Sequence, residues 1–189
     1  MKKEILEKIS ETIDLVWKKD IKKDYNNGLF INEDSLKNAM YYHIRRRIGK
    51  FMEENDLRIY TEFSNEIFKK MNYRPDIAIV KMSFSEEKEY IIDMYKNCVT
   101  IIEIKFQADT YSAPKKVYSD YEKFKVYAEK FGNKCLYYMA TIWESKDNPS
   151  KPWLSEEEWE KGILTELNAS YNRKYDMKFD VVKHNGSKL

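Results

Sequence analysis

Long hydrophobic runs are absent from this chain of 189 residues. No stretch approaches the roughly 18 consecutive apolar residues that a membrane-spanning helix needs, so we expect no membrane span. The first residues, Met1 to Glu4, lead into an amphipathic segment instead of the apolar core of a secretory signal. Only 5 glycines and 4 prolines occur, which leaves little room for flexible linkers. The length suits a single domain.

Cysteine and histidine are also scarce, with two of each. Cys98 and Cys135 both lie among strand-like apolar residues, which favours reduced core thiols in a cytoplasmic protein over a disulfide or a metal site. His43 and His184 lack the spacing of metal ligands, and the chain has no nucleophile elbow and no glycine-rich phosphate loop. The corresponding reaction classes are therefore not expected.

The net charge of the chain is also small. Lys and Arg together number 34 and Asp and Glu 32, so the formal net charge is only +2. This balance excludes the uniformly basic surface of a histone-like binder, and any nucleic-acid site must be a local patch. Charged residues still make up 35% of the chain and hydrophobic residues 42%, as in a globular domain with a heavily charged surface.

The pattern of apolar residues predicts one α/β domain over 1–189 with the element order α-α-β-β-β-α-β-α-β. We expect a helical extension over 1–30, a core over 31–145, and a C-terminal helix and strand over 146–189. The predicted elements up to the end of the core are helices over Lys3–Asp20, Asn32–Glu54 and Pro114–Phe131, and strands over Leu57–Phe63, Arg74–Val80, Val99–Phe106 and Leu136–Trp143.

The C-terminal part begins with a helix-start signal. Ser155 and Glu158 form a capping box, which predicts a helix that runs to about Ala169. Alternating apolar residues then predict a closing strand over Tyr175–Val181.

The third predicted strand carries two charges within a nearly continuous apolar run. That run predicts a central strand buried on both faces. Side chains alternate along a strand, so Val99, Ile101, Glu103, Lys105 and Gln107 are expected on one face, with neighbours about 6–7 Å apart. Burying two charges on one face of a central strand is costly and indicates a functional role.

Asp76 lies at the mouth of the neighbouring strand. If the two strands pair as a hairpin, Asp76 approaches Glu103 within the span of one metal ion. Two carboxylates and a carbonyl oxygen make a hard, all-oxygen site that suits Mg²⁺, which neutralises phosphate charge and generates a nucleophile from bound water. A lysine beside it can position or deprotonate that water, or stabilise negative charge. These are the parts needed to hydrolyse a phosphodiester.

Pro75-Asp76 followed by Glu103-Ile104-Lys105 resembles the motif of the PD-(D/E)XK nuclease superfamily, whose members have the restriction endonuclease-like fold. The resemblance covers about Glu33–Trp143, including the helix before the sheet and the crossover helix after the motif. It implies a restriction endonuclease-like core, with a central mixed β-sheet flanked by α-helices.

The resemblance also implies roles for individual residues. Asp76 and Glu103, with the carbonyl oxygen of Ile104, would bind Mg²⁺ or Mn²⁺. Lys105 would be the catalytic lysine that acts on the attacking water. Many members carry a further acidic residue on the first core helix, and Glu33, on the inward stripe of the predicted helix, suits that role. Asp34 is the alternative if the helix begins later.

Four side chains are expected to contact the substrate. Gln107 follows Lys105 on the same face and would contact phosphate or support that lysine. Lys115 and Lys116, at the start of the crossover helix, would neutralise backbone phosphates. Glu62, on the first predicted strand, is a further carboxylate that could point inward.

The sequence therefore predicts a divalent-metal-dependent nuclease that hydrolyses phosphodiester bonds of nucleic acid, with DNA favoured over RNA. Double-strand cleavage by one small domain often needs two copies, which favours a homodimer. The alternative is a non-catalytic subunit of the same fold that binds nucleic acid or a partner in a defence or mobile-element system. A third interpretation is an α/β domain of unrelated function in which the motif is accidental. The main alternative for the two residues themselves is that Glu103 and Lys105 form an ion pair without a chemical role on an edge strand that faces water.

Overall fold

The computed structural model describes residues 3–84, 90–107, 113–144, 152–154, 162–171 and 177–186, without the side chains of 91, 93, 107, 113–116, 162, 163, 185 and 186. In this described part the α-helices are α1 (Lys3–Leu15), α2 (Lys22–Asn26), α3 (Glu33–Glu54), α4 (Glu66–Met71) and α5 (Ala113–Phe131). The strands are β1 (Leu57–Thr61), β2 (Ile77–Met82), β3 (Tyr95–Gln107), β4 (Leu136–Trp143), β5 (Gly162–Tyr171) and β6 (Met177–Gly186).

The strands form one mixed sheet whose spatial order follows the chain from β1 to β6. β1, β2 and β3 pair antiparallel, and β3, β4 and β5 pair parallel. β5 and β6 close the sheet as an antiparallel pair. Helix α5 crosses between the parallel strands β3 and β4, as the sequence predicted. The expected mixed sheet flanked by α-helices is confirmed.

Helices cover both faces of the sheet. One face packs against α1, α3 and a π-helix at Val16–Ile21, and the other packs against α4 and α5. A strand inside such a sheet must be apolar on both sides. β3 meets this condition, because Ile101, Ile102 and Ile104 are all fully buried. The predicted central position of the third strand is confirmed.

The beginning of α3 is fixed by a reciprocal cap. The side chain of Asn32 accepts a hydrogen bond from the Ser35 backbone N–H at 2.9 Å, and the Ser35 hydroxyl accepts one from the Asn32 N–H at 3.1 Å. Leu36, Met40 and Ile44 then form the buried stripe of the helix. The predicted helix over Asn32–Glu54 is therefore correct, and its first turn lies beside the end of β3.

The N-terminal helical extension is also confirmed. α1 continues through the π-helix directly into α2, so the helical segment reaches Asn26 instead of ending near Asp20. Gly28 follows in a turn with φ of 70°, a left-handed conformation that glycine adopts without strain.

A β-bulge in β3 changes the face of one residue. Val80 pairs with Cys98 and Ile79 with Thr100, which leaves Val99 as an extra residue in the ladder. Val99 packs in the core on the α3 side, whereas Ile101 packs in the core on the α5 side. The expectation that Val99 shares a face with Ile101 is therefore wrong, because a bulge breaks the alternation that the expectation assumed.

The predicted C-terminal helix is wrong over the part that the structure describes. Residues 162–171 form the strand β5, and the preceding capping-box residues, Ser155 and Glu158, lie outside the described residues. Leu164 and Leu167 are three residues apart, a spacing typical of a helix. In the structure they pack on opposite faces of the sheet, because β5 is buried on both sides. The closing strand is confirmed as β6.

Helix α4 was not predicted. It has only 6 residues, begins at a cap in which the Asn65 side chain accepts from the N–H groups of Ile67 and Phe68, and buries Phe68. A segment this short has too few residues to show a helical period. None of the described helices is both long and apolar enough to cross a membrane.

Candidate active site

Asp76 and Glu103 occupy opposite positions on neighbouring strands. The antiparallel register pairs Ile77 with Ile102, and one residue further it places Asp76 opposite Glu103. Side chains at opposite positions lie on the same face with their Cβ atoms about 5 Å apart. One carboxylate oxygen of Asp76, Oδ2, accepts a hydrogen bond from the backbone N–H of Ile104 at 2.7 Å. The strand pairing thus brings together the two residues expected to bind metal.

Glu62 supports Asp76 through a backbone hydrogen bond. Its backbone N–H donates to the Asp76 carbonyl at 3.0 Å, and its φ of 52° places it in the left-handed region that is strained for a non-glycine residue. The Glu62 carboxylate contacts Lys37 and Arg74, each at 2.6 Å. These two ion pairs hold the strained residue in place. The structure therefore gives Glu62 a supporting position, and a contact with substrate remains a prediction.

Lys105 is held by groups from three different elements. Its Nζ lies 3.4 Å from each carboxylate oxygen of Glu33 on α3 and 3.0 Å from Oδ2 of Asp120 on α5. It also donates to the carbonyl oxygen of Ile104 at 3.0 Å. Asp34, the alternative to Glu33, points to solvent and pairs with Lys37 at 2.9 Å. Glu33 is thus the first-helix carboxylate that reaches the site.

Helix α5 contributes three side chains that the sequence reasoning missed. Tyr127 Oη donates to Glu103 Oε1 at 3.1 Å, and Lys123 Nζ lies 3.4 Å from Glu103 Oε2. Lys123 Nζ also lies 2.6 Å from Asp120 Oδ1. Asp120 lies at helical spacing from the apolar residues of α5, so an acidic residue occupies the apolar stripe of this helix. The same pattern identified Glu33 on α3. That signal was present in the sequence.

The site contains more negative than positive groups. Its ionisable members are four carboxyl groups and two lysines, namely Glu33, Asp76, Glu103, Asp120, Lys105 and Lys123. Burial, with the nearby Asp76 carboxylate adding to it, raises the pKa of Glu103 to about 8. Burial also raises the pKa of Asp76 and that of Glu33. These shifts mean that the carboxyl groups are short of compensating positive charge.

Lys105 stays protonated in this environment. Burial by itself would lower the pKa of Lys105, but the carboxylates of Asp120 and Glu33 more than offset it, and the pKa is raised. The lysine therefore acts as a fixed cation at neutral pH.

When all four carboxyl groups are ionised, they exceed the two lysines by two charges, which is what one divalent cation would supply. Among the described residues, no group of three or more His, Cys, Asp or Glu side chains could hold a metal ion. Mg²⁺ often takes only one or two carboxylates and fills its shell with water and substrate oxygens. Asp76 and Glu103 fit such an open site. The Ile104 carbonyl fits as a third ligand, because N–H and C=O of one strand residue point to the same side and its N–H already contacts Asp76.

Three expected substrate contacts fall where no side chain is described. Gln107 is the last residue of β3, and Lys115 and Lys116 lie in the first turns of α5. Their backbone positions lie at the same end of the sheet as Lys105, but their side chains are outside the described part. Their roles remain predictions.

Comparisons of this chain with family models, with curated proteins and with solved structures gave no match. A functional conclusion therefore depends on the geometry and charge of the side chains described above.

Proposed function

We propose that this protein is a divalent-metal-dependent nuclease with a restriction endonuclease-like core. The observation that carries the proposal is the group at the end of β3 in which four carboxyl groups outnumber the lysines by two. Asp76 and Glu103 at opposite strand positions supply the hard oxygen ligands that Mg²⁺ or Mn²⁺ prefers.

The order of elements around the site supports the resemblance to PD-(D/E)XK nucleases. Helix α3 precedes the sheet and delivers Glu33, and Asp76 lies at the mouth of β2. Glu103 and Lys105 lie on the central strand β3, and α5 then crosses over to the parallel strand β4. This is the placement that the resemblance implies for the motif.

The residues of the chain have distinct tasks in the proposed reaction. A divalent cation, when bound, neutralises phosphate charge and lowers the pKa of a bound water. Lys105, kept protonated by Glu33 and Asp120, stabilises the negative charge that develops on a phosphate oxygen. It is therefore an electrostatic group instead of the base that deprotonates the water. Tyr127 orients the Glu103 carboxylate through its hydroxyl.

The experiment is cleavage of plasmid DNA, single-stranded DNA and RNA by the purified full chain with Mg²⁺ or Mn²⁺. We expect wild type to cut, with DNA the better substrate, and EDTA to abolish cutting. Asp76→Ala and Lys105→Ala should each reduce the rate by about 10³-fold or more. If wild type cuts nothing beyond what these variants cut, the proposal is wrong.

Matched surface controls are available for both variants. Asp56 and Lys81 form an exposed ion pair at 3.1 Å at the opposite end of β2. Asp56→Ala and Lys81→Ala should cut as wild type does. Sedimentation of wild type with and without DNA tests the predicted homodimer in the same samples.

A non-catalytic subunit that binds nucleic acid or a partner is the second candidate. It is favoured by one observation: Lys123 and Lys105 already contact the carboxylates of Glu103, Asp120 and Glu33, as in a purely structural ion-pair network. Calorimetry separates the two candidates. Mg²⁺ binding that is lost in Glu103→Ala supports the nuclease. Absence of Mg²⁺ and Mn²⁺ binding, both by wild type and by a variant in which Lys123 has lost its charge, supports the subunit.

A further inference from the structure

We propose that Lys123 is the resident cation of the metal-free site and that its ammonium group leaves Glu103 when a divalent metal ion binds. The inference rests on the proposed function, because it concerns the same carboxylates. It adds a residue outside the Asp-Glu-Lys motif and assigns it a role in setting metal affinity.

The position of Lys123 supports the first part of the proposal. Its Nζ bridges two carboxylates, at 2.6 Å from Asp120 Oδ1 and 3.4 Å from Glu103 Oε2. Both carboxylate side chains are only 2% exposed, so ionising either of them is costly unless a positive charge lies beside it. Lys123 supplies that charge in the absence of metal.

Exposure shows which partner can move. The Lys123 side chain is 27% exposed, whereas its two carboxylate partners are held in the interior. A lysine has a flexible stem of four carbons and can carry its ammonium group toward solvent at little cost. The carboxylates of Glu103 and Asp120 cannot reach solvent without unfolding part of the site. Lys123 is therefore the residue of this group that moves when a metal ion binds.

Lys105 differs from Lys123 in this respect. It contacts Asp120, Glu33 and the Ile104 carbonyl, and its side chain is only 13% exposed. Three contacts from three elements fix Lys105 in position. Lys105 is therefore fixed in position, whereas Lys123 is held, among the described residues, only by Asp120 on its own helix and by Glu103 on the facing strand.

A lysine in this position must weaken metal binding. A metal ion bound to Glu103 would lie close to the Lys123 ammonium group, which is 3.4 Å from Glu103 Oε2, and like charges at such a distance repel strongly in a partly buried site. The displaced ammonium group would remain beside the site on a partly exposed side chain, where it can contact the phosphate of a substrate. Lys123 thus lowers the affinity for metal alone and favours metal binding together with an anionic substrate.

The test is calorimetric titration of Mg²⁺ into the metal-free full chain. Lys123→Gln and Lys123→Met both remove the charge, and Met also keeps the length of the stem. We expect each to bind Mg²⁺ about tenfold more tightly than wild type, because the repelling charge is gone. A purely structural lysine would give the opposite result, since its loss would loosen the site and weaken binding. Circular dichroism checks that each variant is folded.

Two control variants separate charge from position. Lys123→Arg keeps the charge and should bind Mg²⁺ within about twofold of wild type. Lys125 lies two residues further on α5, is 55% exposed and pairs with Glu122 at 2.7 Å. Lys125→Gln removes a charge from the same helix outside the site and should not change the affinity.

Each outcome decides between the proposals. Tighter binding in the neutral Lys123 variants supports the inference, including the case in which wild type binds too weakly to measure. Equal or weaker binding in those variants, with wild type binding Mg²⁺, overturns the inference and leaves the proposed function standing. If neither wild type nor any variant binds Mg²⁺ or Mn²⁺, the proposed function fails and the inference fails with it.

Discussion

Two buried glutamates in one row of the sheet have opposite surroundings. Glu103 on β3 pairs in register with Met139 on β4, and Met139 pairs with Glu166 on β5. The two glutamates thus stand two strands apart on the same face. Glu103 is 1% exposed and Glu166 is fully buried. Burial alone therefore does not distinguish them.

Glu166 is surrounded by donors. Its carboxylate accepts hydrogen bonds from the backbone N–H groups of Trp153 and Leu154 at 2.8 and 2.9 Å. It also contacts the Asn168 amide at 2.7 Å and the His184 ring at 3.0 Å. Burial by itself would raise the pKa of Glu166, but these contacts more than offset it, and the pKa is lowered. Glu166 is an ionised structural group that ties residues 152–154 to the sheet.

Glu103 has fewer donors and more negative neighbours. It contacts Tyr127 and Lys123, while the carboxylates of Asp76 and Asp120 lie near it, and its pKa rises to about 8. A carboxylate that the fold leaves short of positive charge is a candidate for ligand binding, whereas one that the fold satisfies fully is a candidate for architecture. The contrast is the physical basis for assigning function to one glutamate and structure to the other.

Replacing each glutamate by glutamine should produce the largest difference between the two sites, measured as the change in the free energy of unfolding. Glu166→Gln should lower the free energy of unfolding by about 3 kcal/mol, because it removes the charge that four donors are arranged to meet. Glu103→Gln should change it by less than about 1 kcal/mol, since the Glu103 carboxyl, with its pKa raised to about 8, is mostly neutral at this pH and glutamine has the same shape. Urea denaturation of both variants at neutral pH measures this, and equal losses of stability would remove the contrast.

The pH dependence of stability sharpens the same comparison. The folded-state pKa of Glu103 lies above its ordinary value of 4.5, so the folded protein retains a proton that the unfolded chain releases. Stability from this group is fully present below about pH 4.5 and is lost as the pH rises through about 8. Glu166 has a lowered pKa, so its contribution is present above its ordinary pKa and is lost on acidification.

Urea denaturation of wild type over a pH series should therefore show stability falling between about pH 4.5 and 8, by roughly 4 kcal/mol from Glu103. In Glu103→Gln the fall should be smaller, with Asp76 and Glu33 responsible for the remainder. An unchanged slope in this variant would show that the Glu103 carboxyl is not protonated in the folded protein.

Removing one hydrogen-bond donor from each of the two glutamates should have the smallest effects on cleavage and stability. Tyr127→Phe removes one donor from Glu103 and should slow cleavage about threefold, with little loss of stability. Asn168→Ala removes one donor from Glu166 and should lower the free energy of unfolding by about 1 kcal/mol, with cleavage per folded molecule unchanged. The reverse pattern, measured by cleavage rates and urea denaturation, would contradict the assignment of the two roles.

Much of the candidate site could be predicted from the sequence, because the signals that place its side chains near one another are local. Alternation along β3 places Glu103 and Lys105 on one face, and hairpin pairing of neighbouring strands brings Asp76 opposite Glu103. The helical period of α3 places Glu33 on the inward side. Each of these inferences needs only the geometry of one element or of two adjacent ones.

Other features depend on packing between distant elements. Helical spacing places Asp120 on the inward face of α5, but the contacts of Asp120 and Lys123 with β3 follow from how α5 lies over the sheet, which spacing does not specify. The bulge at Val99 depends on pairing with β2. β5 resembled a helix because it is buried on both faces and carries Glu166 inside, which removes the alternation that identifies a strand.

Manganese placed in crystals of the wild-type protein tests the central claim most directly. An anomalous difference map should show one Mn²⁺ within about 2.5 Å of carboxylate oxygens of Asp76 and Glu103, with the Lys123 ammonium group moved away from Glu103. Crystals soaked in Mn²⁺ that show no metal at these two carboxylates, and Lys123 still bridging Glu103 and Asp120, would contradict the account.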